Sequence, residues 1–193
     1  MIFPIIISNY LLVIVYIFFN SVILYETKLM KIQGRKKKLL IVYEVFITFV
    51  FFTFILIKVT GTMSYINIIE LITIIWLFDT YSFLGGKIIG GKKLMPTVSS
   101  GKTQSGLLVG ISATLLSFFI YSLAIDEFSI KYLLFVSIII LFAFLGDMAA
   151  SIFKRFSLIK DSGSIMPGHG GLLDRLDSFL GVFLFIAIFE LLS

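Results

Sequence analysis

Six stretches of the chain, residues 2 to 24, 39 to 59, 65 to 86, 105 to 125, 132 to 153 and 176 to 193, are almost wholly apolar and close to the length of a membrane span. About twenty helical residues cross a hydrocarbon layer roughly 30 Å thick. A backbone in lipid must satisfy its own hydrogen bonds, so runs of this length are expected to be helices. The first run lacks a basic start and a small-residue cleavage site, and reads as a retained span rather than a secretory signal. A mean hydropathy of +1.11 and a charged fraction of 14% leave far more apolar surface than a water-soluble core of this size could bury. The expected architecture is all-α: one integral membrane domain over residues 1–193, a polytopic helix bundle of about six spans. Residues 1–75 would be scaffold spans, and 76–193 would carry the polar site and its loops.

Charge sets the orientation. Six of the sixteen Lys and Arg residues lie between Tyr25 and Lys38, four between Lys87 and Gln104, and four between Lys154 and Arg175. These connections alternate along the chain, so the positive-inside tendency puts them in the cytoplasm, both termini outside, and the polar site at the cytoplasmic side. The expected location is an inner, bacterial-type cell membrane. The RKKK run at 35–38 suits anionic headgroups, which makes membrane lipids a partner. Nucleic acid is not expected despite the net charge of +5, because the aromatic residues lie inside the apolar runs. A homodimer is compatible with such a bundle. With no cysteine and one histidine, neither a disulfide framework nor a Cys/His zinc site can be built. Any metal must be a hard cation held by oxygen.

Four acids then need a common explanation. Asp79 lies late in the third run, Asp147 late in the fifth, and Asp174 and Asp177 open the sixth, so all four fall toward one side. A carboxylate at the centre of a membrane helix costs about 2.5–3.5 kcal/mol on insertion scales, and such residues are often functional. Glu44 and Glu70 do not join the cluster and are expected to be partners for neighbouring helices. Asp174 and Asp177, three apart, share a helix face, as do Asp147, Ser151, Lys154 and Arg155. Carboxylates for a cation opposite cations for phosphate make up a divalent-metal phosphoryl site. Salt bridges such as Asp174 with Arg155 are the competing explanation. Residues 76–106 run through two glycine pairs into a loop of Lys, Ser and Thr whose N–H and ammonium groups could meet phosphate. Its SSGKT portion looks like the end of a P-loop. Pro96 replaces the glycine such a loop needs, and no strand is expected to precede it, so the P-loop is rejected.

SIFKRFSLIKDSGSIMPGHGGLLDRLD, residues 151–177, resembles the signature of the phosphatidate cytidylyltransferases, or CDP-diglyceride synthetases. Ser151, Lys154, Arg155, Lys160, Asp161, Gly163, Pro167, His169, Gly170, Gly171, Asp174, Arg175 and Asp177 stand in register with it. The earlier stretch is similar to a second family segment through Asp79, Thr80, Gly86, Gly90, Lys92, Ser99, Lys102 and Thr103. Together the resemblance covers 76–106 and 146–177, about a third of the chain. Met166, Ala150, Gln104 and Tyr81 depart from the usual residues, and the chain is shorter than most relatives toward its N-terminus.

The resemblance implies transfer of CMP from CTP to phosphatidic acid, giving CDP-diacylglycerol and pyrophosphate. It implies Asp147, Asp174 and Asp177 as ligands of Mg²⁺, with room for a second monovalent or divalent cation. Lys154, Arg155 and His169 complete the catalytic set. Asp79, Lys92, Ser99, Lys102, Thr103, Ser151, Lys160, Asp161, Gly170, Gly171 and Arg175 are the implied substrate contacts. The chemistry is consistent, since two polyanions react only when cations offset their repulsion. A phosphate monoester is largely ionised near pH 7, so His169 is expected to contact phosphate rather than act as a base. Two alternatives are a cytidylyltransferase for another lipid phosphate and a transporter; the latter would centre its acids on the bilayer midplane.

Overall fold

The computed structural model describes residues 14, 17, 18, 20–22, 24, 25, 28, 45–50, 52, 65–156 and 173–192 of the 193. Within them run helix α1 (Tyr65–Ile88), strands β1 (Lys93–Met95) and β2 (Ser99–Thr103), and helices α2 (Gln104–Ala124), α3 (Ile130–Phe156) and α4 (Leu173–Leu192). Among the described residues three helical stretches are long and apolar enough to cross a membrane: Ile69–Ile88, Gln104–Ala124 and Ile130–Phe156. A shorter apolar stretch, Leu176–Phe189, lies in α4. The third, fourth and fifth expected spans therefore coincide with α1, α2 and α3 to within a few residues, and the sixth overlaps α4, whose apolar stretch is shorter. Most of the first two lies outside the described residues, and the parts described are helical. The protein is an all-α membrane protein that, among the described residues, adds one two-stranded ribbon to its helices.

The chain divides into two compact units, one made of Met1–Met63, Phe153–Leu176 and Phe183–Ser193, the other of Ser64–Ile152 and Asp177–Val182. In the first unit Ile47 and Val50 are fully buried, and Leu24, Val45, Thr48, Phe49 and Phe52 line an apolar hollow. The second unit holds most of the polar residues of interest.

In the second unit α1 packs on α2. The buried residues of α2 are Gly106, Gly110, Thr114, Phe118 and Ser122, every fourth position and mostly small. Lipid tails are as apolar as leucine, so helices in a membrane associate through close packing, which small residues permit. The approach is tight enough that a Cβ on Gly106 would lie 2.5 Å from the Ser82 carbonyl oxygen of α1. Outward, Leu108, Leu116 and Ile120 of α2 and Ile69, Trp76 and Phe83 of α1 are exposed, as lipid-facing surface should be.

Asp126, at φ 55°, closes α2 in the left-handed conformation that a short polar side chain tolerates. Ser129 then starts α3: its hydroxyl accepts the Lys131 N–H at 3.3 Å, and its carbonyl accepts from Tyr132 and Leu133. With 27 residues α3 is about 40 Å long, more than the roughly 30 Å hydrocarbon layer needs. Its last turn carries Lys154 and Arg155, where cations complement the helix dipole.

Glu70 finds the helix partner expected of it: Tyr132 of α3 donates its hydroxyl to Glu70 Oε1 of α1. Tyr132→Phe should cost about 1 kcal/mol, the scale of interhelical polar contacts in membranes. A lower unfolding midpoint in detergent with unchanged turnover is the expected result; lost turnover at full stability would give Glu70 a chemical role instead.

The 87–104 connection differs from the expected loop. Lys93 pairs with Thr103 and Met95 with Ser99 in an antiparallel ribbon, irregular between the two pairs, and the Val98 N–H closes its turn on the Met95 carbonyl at 3.1 Å. SSGKT is thus the second strand of a hairpin, not a phosphate-wrapping loop. The two glycine pairs also part ways. Gly85 and Gly86 stay inside α1, whereas Gly90 (φ 69°) and Gly91 (φ 106°) take the positive φ that turns the chain into the ribbon.

Candidate functional site

The polar residues of the second unit gather from four elements. Asp79, in the C-terminal half of α1, accepts the Ser178 hydroxyl of α4 at 3.2 Å on Oδ2 and 3.4 Å on Oδ1. The neighbouring Asp177 is buried, and its Oδ1 accepts the Ser178 N–H at 2.9 Å. An acid in the opening turns of α4 also complements the positive end of that helix. On α3, Asp147 pairs through Oδ2 with the Lys102 ammonium of β2, while the Ser151 hydroxyl reaches Oδ1 at 3.5 Å. Lys102 Nζ lies 3.9 Å from Met148 Sδ and 5.3 Å from the centre of the Phe144 ring, within cation–π range. Asp79 is in electrostatic reach of both Asp147 and Lys102.

Two backbone devices hold this arrangement. A Cβ on Gly181 would lie 2.0 Å from the Phe142 carbonyl oxygen, and one on Gly146 would lie 2.6 Å from the Asp177 carbonyl oxygen and the Gly181 nitrogen. Helices α3 and α4 therefore meet backbone to backbone beside Asp147 and Asp177. On the other side Thr103 is the N-cap of α2, its Oγ1 accepting the Gly106 N–H at 3.0 Å, while the Gln104 N–H bonds the Lys92 carbonyl at 3.0 Å. Lys102 is thus fixed between a strand pairing and a helix cap. Thr103→Ala should cost about 1 kcal/mol of stability and lower turnover through Lys102, and Thr103→Ser should retain both. Reduced stability with normal turnover in the alanine variant would confine Thr103 to the cap.

Of the residues singled out by sequence, Asp79, Lys102, Asp147 and Ser151 come together in the second unit, and Asp177 lies one residue from Ser178, the partner of Asp79. Thr103 is buried, with its hydroxyl engaged by the cap and by Ser105 Oγ at 3.0 Å. Ser99 is half-buried in β2, and Lys92 is exposed just ahead of β1. Lys154 and Arg155 belong to the first unit, and Lys154 is buried despite its charge. Asp174 and Arg175 lie in the first turn of α4, their side chains outside the described residues. Lys160, Asp161, His169, Gly170 and Gly171 also lie outside them. Sequence reasoning missed Ser178, Phe144, Gly146 and Gly181. The signals were available: a hydroxyl beside Asp177, and small residues within apolar helices, where backbones can touch.

Among the described residues no three His, Asp or Glu side chains group closely enough to enclose an ion. Mg²⁺, however, usually takes one or two carboxylates and completes its shell with water and phosphate oxygen. The donors gathered here are carboxylate and hydroxyl oxygens, and a cation, the Lys102 ammonium, already stands on Asp147. That chemistry fits a hard divalent ion.

A family model described as "Cytidylyltransferase family" matches residues 2–192. A protein named phosphatidate cytidylyltransferase from Staphylococcus epidermidis is 43% identical over 111 residues, 56% of this chain and 43% of that one. Its namesake from Rickettsia bellii is 47% identical over 116 residues, 55% of this chain and 50% of that one. The Staphylococcus aureus namesake is 44% identical over 111 residues, 56% of this chain and 43% of that one. The matched part thus spans about half the length of these curated relatives.

Proposed function

Because the chain belongs to the cytidylyltransferase family, we propose that it transfers CMP from CTP to phosphatidic acid, releasing pyrophosphate and forming CDP-diacylglycerol, at the cytoplasmic face of a cell membrane. The carrying observation is the convergence of Asp79, Lys102 and Asp147 in one unit of a chain that matches that family over residues 2–192. A lipid phosphate oxygen attacks the α-phosphorus of CTP in line. The new P–O bond forms as the bond from the α-phosphorus to the bridging oxygen breaks, and that oxygen leaves with pyrophosphate.

Asp147, Asp174 and Asp177 would hold Mg²⁺, and a bound ion would supply positive charge against the two reacting phosphates. Lys102, Lys154, Arg155, Lys160 and Arg175 bind the triphosphate or the lipid phosphate, the arginines bidentately where geometry allows. Ser178 orients Asp79 and Ser151 orients Asp147. His169 donates to phosphate.

The test is incubation of the purified protein in detergent with cytidine-labelled CTP, phosphatidic acid and Mg²⁺. Chloroform-soluble label that appears only with all three present supports the proposal. Label formed with a different lipid phosphate but not with phosphatidic acid reassigns the acceptor, and no label with any acceptor overturns the reaction class.

A further inference from the structure

We infer that Lys102 is the resident counter-ion of Asp147, that a divalent cation must displace it to bind there, and that the displaced ammonium then meets the nucleotide phosphates. The inference rests on the metal role proposed above for Asp147. It adds an order of events: in the empty site a lysine stands in the metal's place, and metal entry arms that lysine for substrate.

Three observations carry it. First, the ammonium occupies the metal's own donor: it pairs with Asp147 Oδ2, and Phe144 and Met148, on the same face of α3, hold it there through ring and sulfur contacts. An ammonium on Oδ2 and a divalent ion on the same carboxylate repel each other, so each weakens the binding of the other. Second, the local charge is unbalanced. Asp79 and Asp147 face one lysine, so the pair of acids remains short of one positive charge, a deficit that exchange of Lys102 for a divalent ion removes. Third, only the side chain is free to move. The Lys102 backbone is fixed by the β1–β2 pairing next to the Thr103 cap, while its four-carbon stem is flexible and its side chain is 25% exposed. Released from Asp147, the ammonium stays beside the N-terminal end of α2, a helix with no acid in its first turn and a positive dipole end that favours the same phosphate.

A purely structural ion pair predicts something different, and Mn²⁺ separates the two. Binding of Mn²⁺ to purified protein, without nucleotide, is read by electron paramagnetic resonance for wild type, Lys102→Met and Lys102→Arg. Competition predicts that Lys102→Met binds Mn²⁺ about fivefold or more tightly than wild type, within the usual range of coupling between sites, and that Lys102→Arg does not. CTP should tighten Mn²⁺ binding in wild type and do so less in Lys102→Met. A second measurement needs no variant. Mg²⁺ should raise the labelling of Lys102 by an amine-reactive reagent relative to exposed Lys93 in wild type. Equal or weaker Mn²⁺ binding by Lys102→Met, or Lys102 labelling unmoved by Mg²⁺ in a protein that binds Mn²⁺, overturns the competition and leaves the metal role standing. No Mn²⁺ bound by wild type or variant overturns both.

Discussion

Asp147→Asn should lower CMP transfer by about two orders of magnitude or more, the usual cost of removing a preorganised group that offsets transition-state charge, while the protein remains folded in detergent. Asparagine keeps the shape and a hydrogen-bonding oxygen for Ser151 but loses the charge that a divalent ion requires. Asp177→Asn and Asp174→Asn should behave alike, because each removes one of the three charged oxygen donors proposed for the ion. His169→Ala should do less, since an already ionised phosphate needs no strong base. Turnover of each purified variant, with its unfolding midpoint as the control for folding, checks this. Near-normal transfer by all three Asp variants would remove the metal assignment.

Gly181→Ala should be the most damaging substitution away from the charges. Its new methyl would lie 2.0 Å from a backbone oxygen of α3, a contact that no rotamer change relieves. Overpacking of this kind costs about 1–3 kcal/mol or more. Separation of α3 and α4 would also carry Asp177 and Ser178 away from Asp147 and Asp79, and misplacement of reacting groups by about 1 Å can cost about a hundredfold in rate. The expected outcome is a rate loss larger than the stability loss explains, measured as turnover at a temperature where the variant is still fully folded. Wild-type turnover in Gly181→Ala would mean that the contact of α3 with α4 does not set the site.

The helices were legible because their cause is local: a backbone in lipid has no other way to satisfy itself, so apolar length alone located α1 to α4. The nearness of Asp79 to Asp147 was legible for a related reason, as polar residues at one depth of a membrane need one another. What escaped the sequence depends on who meets whom. Lys102 looks the same in a flexible loop and in a strand that delivers it to Asp147; pairing of Lys93 with Thr103 decides between them. Gly146 and Gly181 are unremarked apolar-helix residues until the two backbones touch. Gly85 and Gly86 fall inside the expected third span and inside α1, where close packing on α2 asks for the same missing side chain as a turn does.

Anomalous scattering from crystals grown with Mn²⁺ and a non-reactive CTP analogue addresses the proposed chemistry at its centre. One strong peak is expected about 2 Å from an Asp147 oxygen, shared with Asp174 or Asp177 and with a phosphate oxygen of the analogue, and the Lys102 ammonium should have moved from Asp147 to phosphate. An ordered nucleotide with no metal at these carboxylates, or with its metal held elsewhere, would contradict that chemistry.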